Sequence, residues 1–369
     1  MSLLITISVL YAVCFFMLAI LILYSGYSIK QRDFRVMLIF LVLSFSIIAF
    51  ATYPSAGTDL SRYYIELNIM RNLGKEYAFG ESLYNTTPLA NLLFYIISCT
   101  SIDNLLPCIS TFIVFALLFK NMMKIKDKFS IHVKYILFYL FLFIAVCSLR
   151  AMMTGVRQGL ACSIMAVAVS RELLFDKKGI VTWGLYLSAV LVHIGIFPIV
   201  LIRILSSLIK KCRFLVILWG LLIPVMDFLA SSTNEFIKMA YEKMLGYSEI
   251  DYPDMRLLMA KTAVFIILMI LIFHMKYKNQ TDINKKFMNF YEVLVFFTIG
   301  SYSIPHLYER MITFSMFISL PIVYVGLKTF EKKSREVYYI ILLFIIVGLL
   351  LYWLVDLRTS WVLTTEIFN

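Results

Sequence analysis

The chain has 369 residues, of which 62% are hydrophobic, 16% aromatic and 15% charged, and its net charge is +12. A soluble domain is about 45–50% apolar and about 25% charged, so the composition excludes a soluble globular enzyme and a disordered tail. What remains is an all-α polytopic integral membrane protein.

Apolar runs long enough to cross about 30 Å of hydrocarbon as helices occur at 3–27, 36–51, 102–119, 135–149, 152–170, 214–230, 257–275, 287–303, 311–327 and 337–355. Two shorter pieces, 180–192 and 194–209, meet at His193-Ile194-Gly195. A further run, 83–101, is interrupted by Asn85, Thr86, Thr87, Pro88 and Asn91. Six connections, at 30–35, 120–134, 171–178, 203–213, 276–286 and 328–336, hold 23 Lys or Arg against 7 Asp or Glu, while the remainder holds 11 against 15. The net charge is therefore the positive-inside bias of cytoplasmic loops. A nucleic-acid partner is not expected, because the basic residues are spread over six short loops without interleaved aromatics.

If all six basic loops are cytoplasmic, an even number of crossings must separate Arg35 from Lys120, so one of the three segments between them does not span. The polar residues of 83–101 are costly against lipid but acceptable in a re-entrant or protein-buried segment. The expected architecture is about 12 transmembrane helices plus this re-entrant segment. They form a single transmembrane domain over 1–369 with two longer periplasmic loops, 53–82 and 231–256. A rival with 13 crossings moves the Asp59 loop to the cytoplasm, against the charge bias. No cleavable signal peptide is expected, since the first run lacks a basic n-region and an Ala-x-Ala site. The six cysteines lie in or beside apolar segments without metal spacing and are expected to pack.

In the first long loop, Thr58 or Asp59 is an N-cap candidate. Leu60, Tyr63, Tyr64, Leu67 and Met70 then share one face of an expected surface-lying amphipathic helix. Asp59, Arg62 and Tyr63 offer a charge pair and a phenol; the same residues also suit a cap and an interfacial anchor. Arg150 and Arg157 lie at and inside an apolar run, where a charge is costly unless paired or wet. Arg150 can snorkel from a helix end, whereas Arg157, flanked by Gly155 and Gly159, is deeper. His193 sits at a turn with Gly195 and Pro198. Between two later runs, Tyr302, His306, Tyr308, Glu309 and Arg310 cluster within a few residues, offering an acid or base beside a guanidinium. Arg256 borders the second long loop. No carboxylate cluster of the kind that binds divalent metal is visible, so neither metal nor other cofactor is expected.

Gly57-Thr58-Asp59-Leu60-Ser61-Arg62-Tyr63 resembles the G-x-D-x-x-x-Y signature of the EpsG-like, Wzy-type polysaccharide polymerases. Arg157-Gln158-Gly159-Leu160-Ala161 is similar to that family's R-Q-x-x-A helix, Leu191-Val192-His193 to its A-x-x-H turn, and Tyr308-Glu309-Arg310 to its late E-R pair. The elements keep their order over about residues 50–312. One departure is Tyr-Pro-Ser before Asp59, where an arginine is common.

The resemblance implies a GT-C-like glycosyltransferase of the bacterial inner membrane, an O-antigen or capsule repeat-unit polymerase acting without metal. Its partners would be undecaprenyl-diphosphate-linked oligosaccharides and membrane lipid, with room for a chain-length regulator protein. By the same resemblance Arg150, Arg157 and a protonated His193 face the diphosphate, assisted by Arg310 or Arg256. Asp59 or Glu309 is the base for the acceptor hydroxyl. Arg62, Tyr63, Gln158, Tyr302, His306 and Tyr308 line the sugar and acceptor path. The competing classes are a lipid-linked glycan ligase, a flippase or transporter of lipid-linked oligosaccharide, and a membrane O-acyltransferase.

Overall fold

The structure is a computed structural model that describes residues 2–25, 29–52, 59–82, 84, 86–209, 213–226, 255–277 and 283–333. The expectations for 53–58, Asn85, Cys212, the second long loop up to residue 254 and the run at 337–355 lie outside these residues. Every described element is helical, and no strand occurs among the described residues. Five of the cysteines carry free thiols. The described residues divide into two compact units, one up to Phe197 and the other from Pro198 onward.

The first unit is built on a pair of long helices, α2 (Gln31–Phe50) and α5 (Leu105–Phe129). Phe45 and Phe115 interlock between them with ring centroids 4.8 Å apart. Polar contacts at both ends set an antiparallel register. Gln31 Nε2 and Arg35 Nη2 donate to Asp127 at 2.8 and 3.0 Å at one end, and Asn104 Nδ2 donates to the Phe50 carbonyl at 2.8 Å at the other. The 25 residues of α5 extend about 37 Å. The helix continues ten residues past the apolar run that predicts it, because lysine and methionine are good helix formers and lysine stems lie along a helix toward water. Together with α1 (Ser2–Ser25), these are three helices long and apolar enough to cross a membrane.

Where the sequence suggests a surface helix, α3 (Asp59–Gly80) buries Leu60, Tyr63, Leu67 and Met70, and Glu66 with them. Gly74 interrupts it at φ 73°, a left-handed conformation that favours glycine, so the helix kinks there. Arg71 ties α3 down by donating to the Ser98 carbonyl at 3.1 Å and to Asp103 at 2.5 Å. The interrupted run becomes α4 (Pro88–Ser98), led by Pro88 at its first turn. Its 11 residues measure about 16 Å, well short of a bilayer core.

α6 (Val133–Val146) is followed by a division that the sequence does not announce. The run read as one helix over 152–170 is two, α7 (Leu149–Thr154) and α8 (Val156–Val169), followed by a π-helical turn at Ser170–Leu174. Ser148 Oγ caps α7 by accepting from Ala151 N at 3.2 Å. Gly155 forms the joint, and a Cβ there would stand 2.8 Å from the Ala151 carbonyl oxygen. Gly159 lets α8 approach α5 closely, as its Cβ position is 3.3 Å from the Val114 side chain. α9 (Ile180–Val192) packs on α8 and ends at His193.

The second unit contains α10 (Phe197–Leu208, from Pro198 onward), a 3-10 segment at Arg213–Met226, α11 (Met255–Tyr277), α12 (Lys285–Gly300), α13 (Pro305–Ile318) and α14 (Leu320–Lys333). α13 and α14 together are apolar enough for one span but bend by 68°. Arg213 anchors the 3-10 segment to α12 through Asn289 at 2.6 Å and Glu292 at 2.8 Å. Trp219 stacks on Phe297 with centroids 4.5 Å apart.

Because the Gly155 joint has no room for a side chain, Gly155→Ala should destabilise the detergent-solubilised protein by about 1–3 kcal/mol through overpacking. A denaturation midpoint equal to that of the parent would show that the joint is not sterically required.

Candidate functional site

The joint at Gly155 places Arg157 as the second residue of α8, half-buried. Tyr63 from α3 and Tyr84 from the turn before α4 form the surface on which it rests. The guanidinium carbon lies 4.2 Å from the Tyr84 ring centroid and 5.6 Å from that of Tyr63, and Nε donates to Tyr63 Oη at 3.4 Å. Tyr63, Tyr84 and Phe94 pack mutually with centroids 5.1 to 5.6 Å apart. Stacking of a cation on these rings contributes about 0.5–2 kcal/mol, and it leaves the positive charge uncompensated. Among the described residues, no carboxylate pairs with Arg157 or with the exposed Arg150 on α7. The first-turn N–H groups of α8 lack intrahelical acceptors and add a partial positive charge.

Tyr84 is held from below by a buried carboxylate. Glu66, 1% exposed, accepts from Ser82 Oγ at 2.6 Å and from Tyr77 Oη at 3.2 Å. Ser82 Oγ in turn accepts from Tyr84 N at 3.2 Å. Asn91 of α4 closes the assembly by donating to the Ala78 carbonyl. Burial pushes the Tyr84 phenol up to about 12; Tyr63 adds to the shift, Arg157 opposes it, and Glu66 and Asp59 raise it slightly further. Tyr84 therefore stays neutral at physiological pH and presents its ring face to the arginine.

The remaining candidates of this unit are placed as follows. Asp59 accepts from Arg62 at 2.7 Å in a pair about half exposed on both sides, which is worth about 0–1 kcal/mol. Gln158 is half-buried beside Arg157. His193 is buried in extended conformation at the end of α9, and its ring lies against Gly195, where a Cβ would be 2.7 Å from Nε2. α8 packs against the Ile194–Ile196 turn that follows.

In the second unit, Glu309 on α13 pairs with Lys261 of α11, a lysine only 2% exposed. Tyr302 is exposed and sets its ring edge-on to buried Tyr308, 5.4 Å away. His306 and Arg310 are half-buried on α13. Arg256 is in the first turn of α11, with its side chain outside the described residues. Among the described residues, no three His, Cys, Asp or Glu side chains gather as a metal set.

Sequence reasoning overlooks Glu66, Tyr84 and Lys261. Glu66 and Lys261 carry a legible sign, a charge on the apolar face of a predicted helix and a lysine inside an apolar run. Tyr84 carries none, because only the turn before α4 brings it to Arg157.

Apolar helices of spanning length, with an arginine that rests on an aromatic bed and has no carboxylate partner among the described residues, define a helical membrane protein with a candidate anion site. The EpsG family model matches residues 35–364, and the chain belongs to the EpsG family. Membership points to a polysaccharide polymerase-type function in membrane polysaccharide biosynthesis. No curated protein and no solved structure matches the chain.

The Lys261–Glu309 pair generates a further prediction. Glu309→Ala strands a buried ammonium and should lower stability by about 3–5 kcal/mol, whereas Lys261→Met with Glu309→Leu should recover most of it. A double-mutant cycle on unfolding in detergent measures the coupling; zero coupling would show that the pair is not formed.

Proposed function

We propose that the chain is a membrane glycosyltransferase that polymerises undecaprenyl-diphosphate-linked oligosaccharide repeat units on the periplasmic face of the bacterial inner membrane. In this reading the chain makes about 12 crossings and the Arg157 side faces the periplasm. The observation that carries the proposal is the half-buried Arg157, stacked on Tyr84 and Tyr63, with no carboxylate partner among the described residues.

In the reaction an acceptor hydroxyl attacks the anomeric carbon of the growing chain. The anomeric C–O bond breaks and its electron pair leaves with the lipid diphosphate. The hydroxyl proton passes to a carboxylate. The dominant electrostatic demand is at the leaving diphosphate, whose growing charge a preorganised cation stabilises without reorganisation. Arg157 meets that demand at the α8 N-terminus with a guanidinium fork suited to phosphate oxygens, and Arg150 of α7 is assigned to the same diphosphate. His193 is assigned to the same diphosphate, and Arg310 and Arg256, both in the second unit, are kept as further candidate anion ligands.

Of the two carboxylates weighed as base, Asp59 is the better choice. Its pairing with Arg62 is solvent-exposed and exchanges readily, whereas Glu309 is needed as the counter-charge of buried Lys261. Arg62, Tyr63, Gln158, Tyr302, His306 and Tyr308 provide hydroxyl, amide and ring surfaces for sugars and acceptor.

Arg157→Ala should reduce polymerisation about 100- to 1,000-fold, the usual cost of removing one preorganised donor. Tyr84→Phe, which keeps the ring face, should retain most activity, and Tyr84→Ala should not. The measurement is glycan length in a polymerase-deficient strain at matched expression, where loss of activity leaves single repeat units on the acceptor. Long chains restored by Arg157→Ala would overturn the diphosphate role. Long but unattached chains would indicate a ligase, and undecorated acceptor a flippase.

A further inference from the structure

A second charged feature lies at the opposite end of the α2/α5 pair. A cavity of about 410 Å³ opens between these helices, lined by Leu38, Ile39 and Val42 of α2 and by Phe112, Ala116 and Phe119 of α5. Leu38, Val42 and Phe119 are buried in its floor, while Ile39 and Phe112 are exposed at its rims. Arg35, Lys120, Lys124 and Asp127 stand at its mouth.

The charges at this mouth do not balance. Asp127 accepts from Gln31 and Arg35 and lies 3.9 Å from Lys126, so its charge is already engaged. Lys120 and Lys124 have no carboxylate partner among the described residues. Lys124 is repelled by Lys120, and also by Arg171 and Lys177 from the segment after α8. Lys120 and Lys124 thus leave an excess of positive charge at the mouth of an apolar groove.

We propose that this groove binds an anionic phospholipid of the surrounding bilayer, with its phosphate at Lys120 and Lys124 and an acyl chain along Ile39, Val42 and Ala116. Both helices that form the groove are of spanning length and composition, so its open side faces hydrocarbon, where a lipid chain is the solvent at hand. The volume falls within the about 300–1,000 Å³ of ordinary ligand pockets. Lysines act as point charges that suit a phosphate without demanding a fixed fork geometry. Basic pockets between transmembrane helices are established places for lipid phosphates. A soluble anion would satisfy the lysines and leave the apolar wall empty; an acidic protein segment would have to enter hydrocarbon to cover it.

This site is separate from the Arg157 site. Lys120 and Lys124 lie in the second half of α5, and Asn104, at its start, is hydrogen-bonded to Tyr64 of α3 at 2.9 Å. The proposal needs only that α2 and α5 span a membrane, and it stands or falls independently of the polymerase reaction.

The test uses the full chain, delipidated in a zwitterionic detergent and titrated separately with phosphatidylglycerol, phosphatidylcholine and inorganic phosphate. Bound lipid per chain is read by native mass spectrometry, and Tm is followed in parallel. Phosphatidylglycerol should occupy one saturable site and raise Tm with concentration, because it binds the folded state. Phosphatidylcholine and inorganic phosphate should do neither over the same range.

Lys120→Gln with Lys124→Gln should weaken phosphatidylglycerol binding about 30-fold, as expected for two lysines near a phosphate surface. Lys120→Arg with Lys124→Arg should bind like the parent. Ala116→Trp should fill the groove and abolish the site. Equal binding of phosphatidylcholine, a Tm rise with inorganic phosphate alone, or unchanged affinity in the folded Gln pair would each overturn the proposal. If the Gln pair fails to fold, lipid selectivity of the parent and the Ala116→Trp result decide it.

Discussion

A guanidinium set into an apolar helical bundle has to be paired, hydrated or supported, and the first unit supports Arg157 on aromatic rings with no carboxylate partner among the described residues. The rings of Tyr84 and Tyr63 lie under the cation and Phe94 packs behind them. Stacking recovers a minor part of the desolvation cost, so the charge remains available to an anion. Much of the local structure follows from this requirement. The Gly155 joint starts α8 where its second residue meets the rings. The buried Glu66 holds Ser82, and through it the turn that carries Tyr84.

Two carboxylates in this chain do opposite things with buried charge. Glu66 is satisfied by hydroxyl donors and organises neutral groups around Arg157. Glu309 neutralises a lysine that would otherwise be stranded inside the second unit. The first arrangement keeps a cation active and the second silences one. That contrast is why the proposed diphosphate chemistry is assigned to the Arg157 side, with Asp59 as the proposed base.

The antiparallel α2/α5 pair gives the first unit its long axis and separates its two cationic features. At one end Asn104 bridges Phe50 and Tyr64, next to the elements that build the Arg157 bed. At the other, Asp127 gathers Gln31 and Arg35 while Lys120 and Lys124 stay unpaired among the described residues. Aromatic and aliphatic packing between the ends holds the register, so a shift of either helix would disturb both places.

Hydropathy and charge were enough to read the helical membrane class, the interruption of the segment at Pro88 and the apolar spacing of α3, although they suggested a surface helix where α3 buries that face. Each is a local property of apolar spacing, proline placement or solvation. The motifs around Asp59, Arg157, His193 and Glu309 were legible as well, and with them the family to which the chain belongs. The kink at Gly74 and the division of 149–169 at Gly155 were not, because glycine is tolerated in a helix and breaks one only when neighbouring packing selects the other conformation. The partners of the charged residues were hidden for a related reason. Tyr84 reaches Arg157 and Lys261 reaches Glu309 across 73 and 48 positions, distances that only tertiary packing closes. Local chemistry thus determined which groups must lie in the membrane at a cost, and the tertiary structure decided which of those charges are neutralised and which remain free to act.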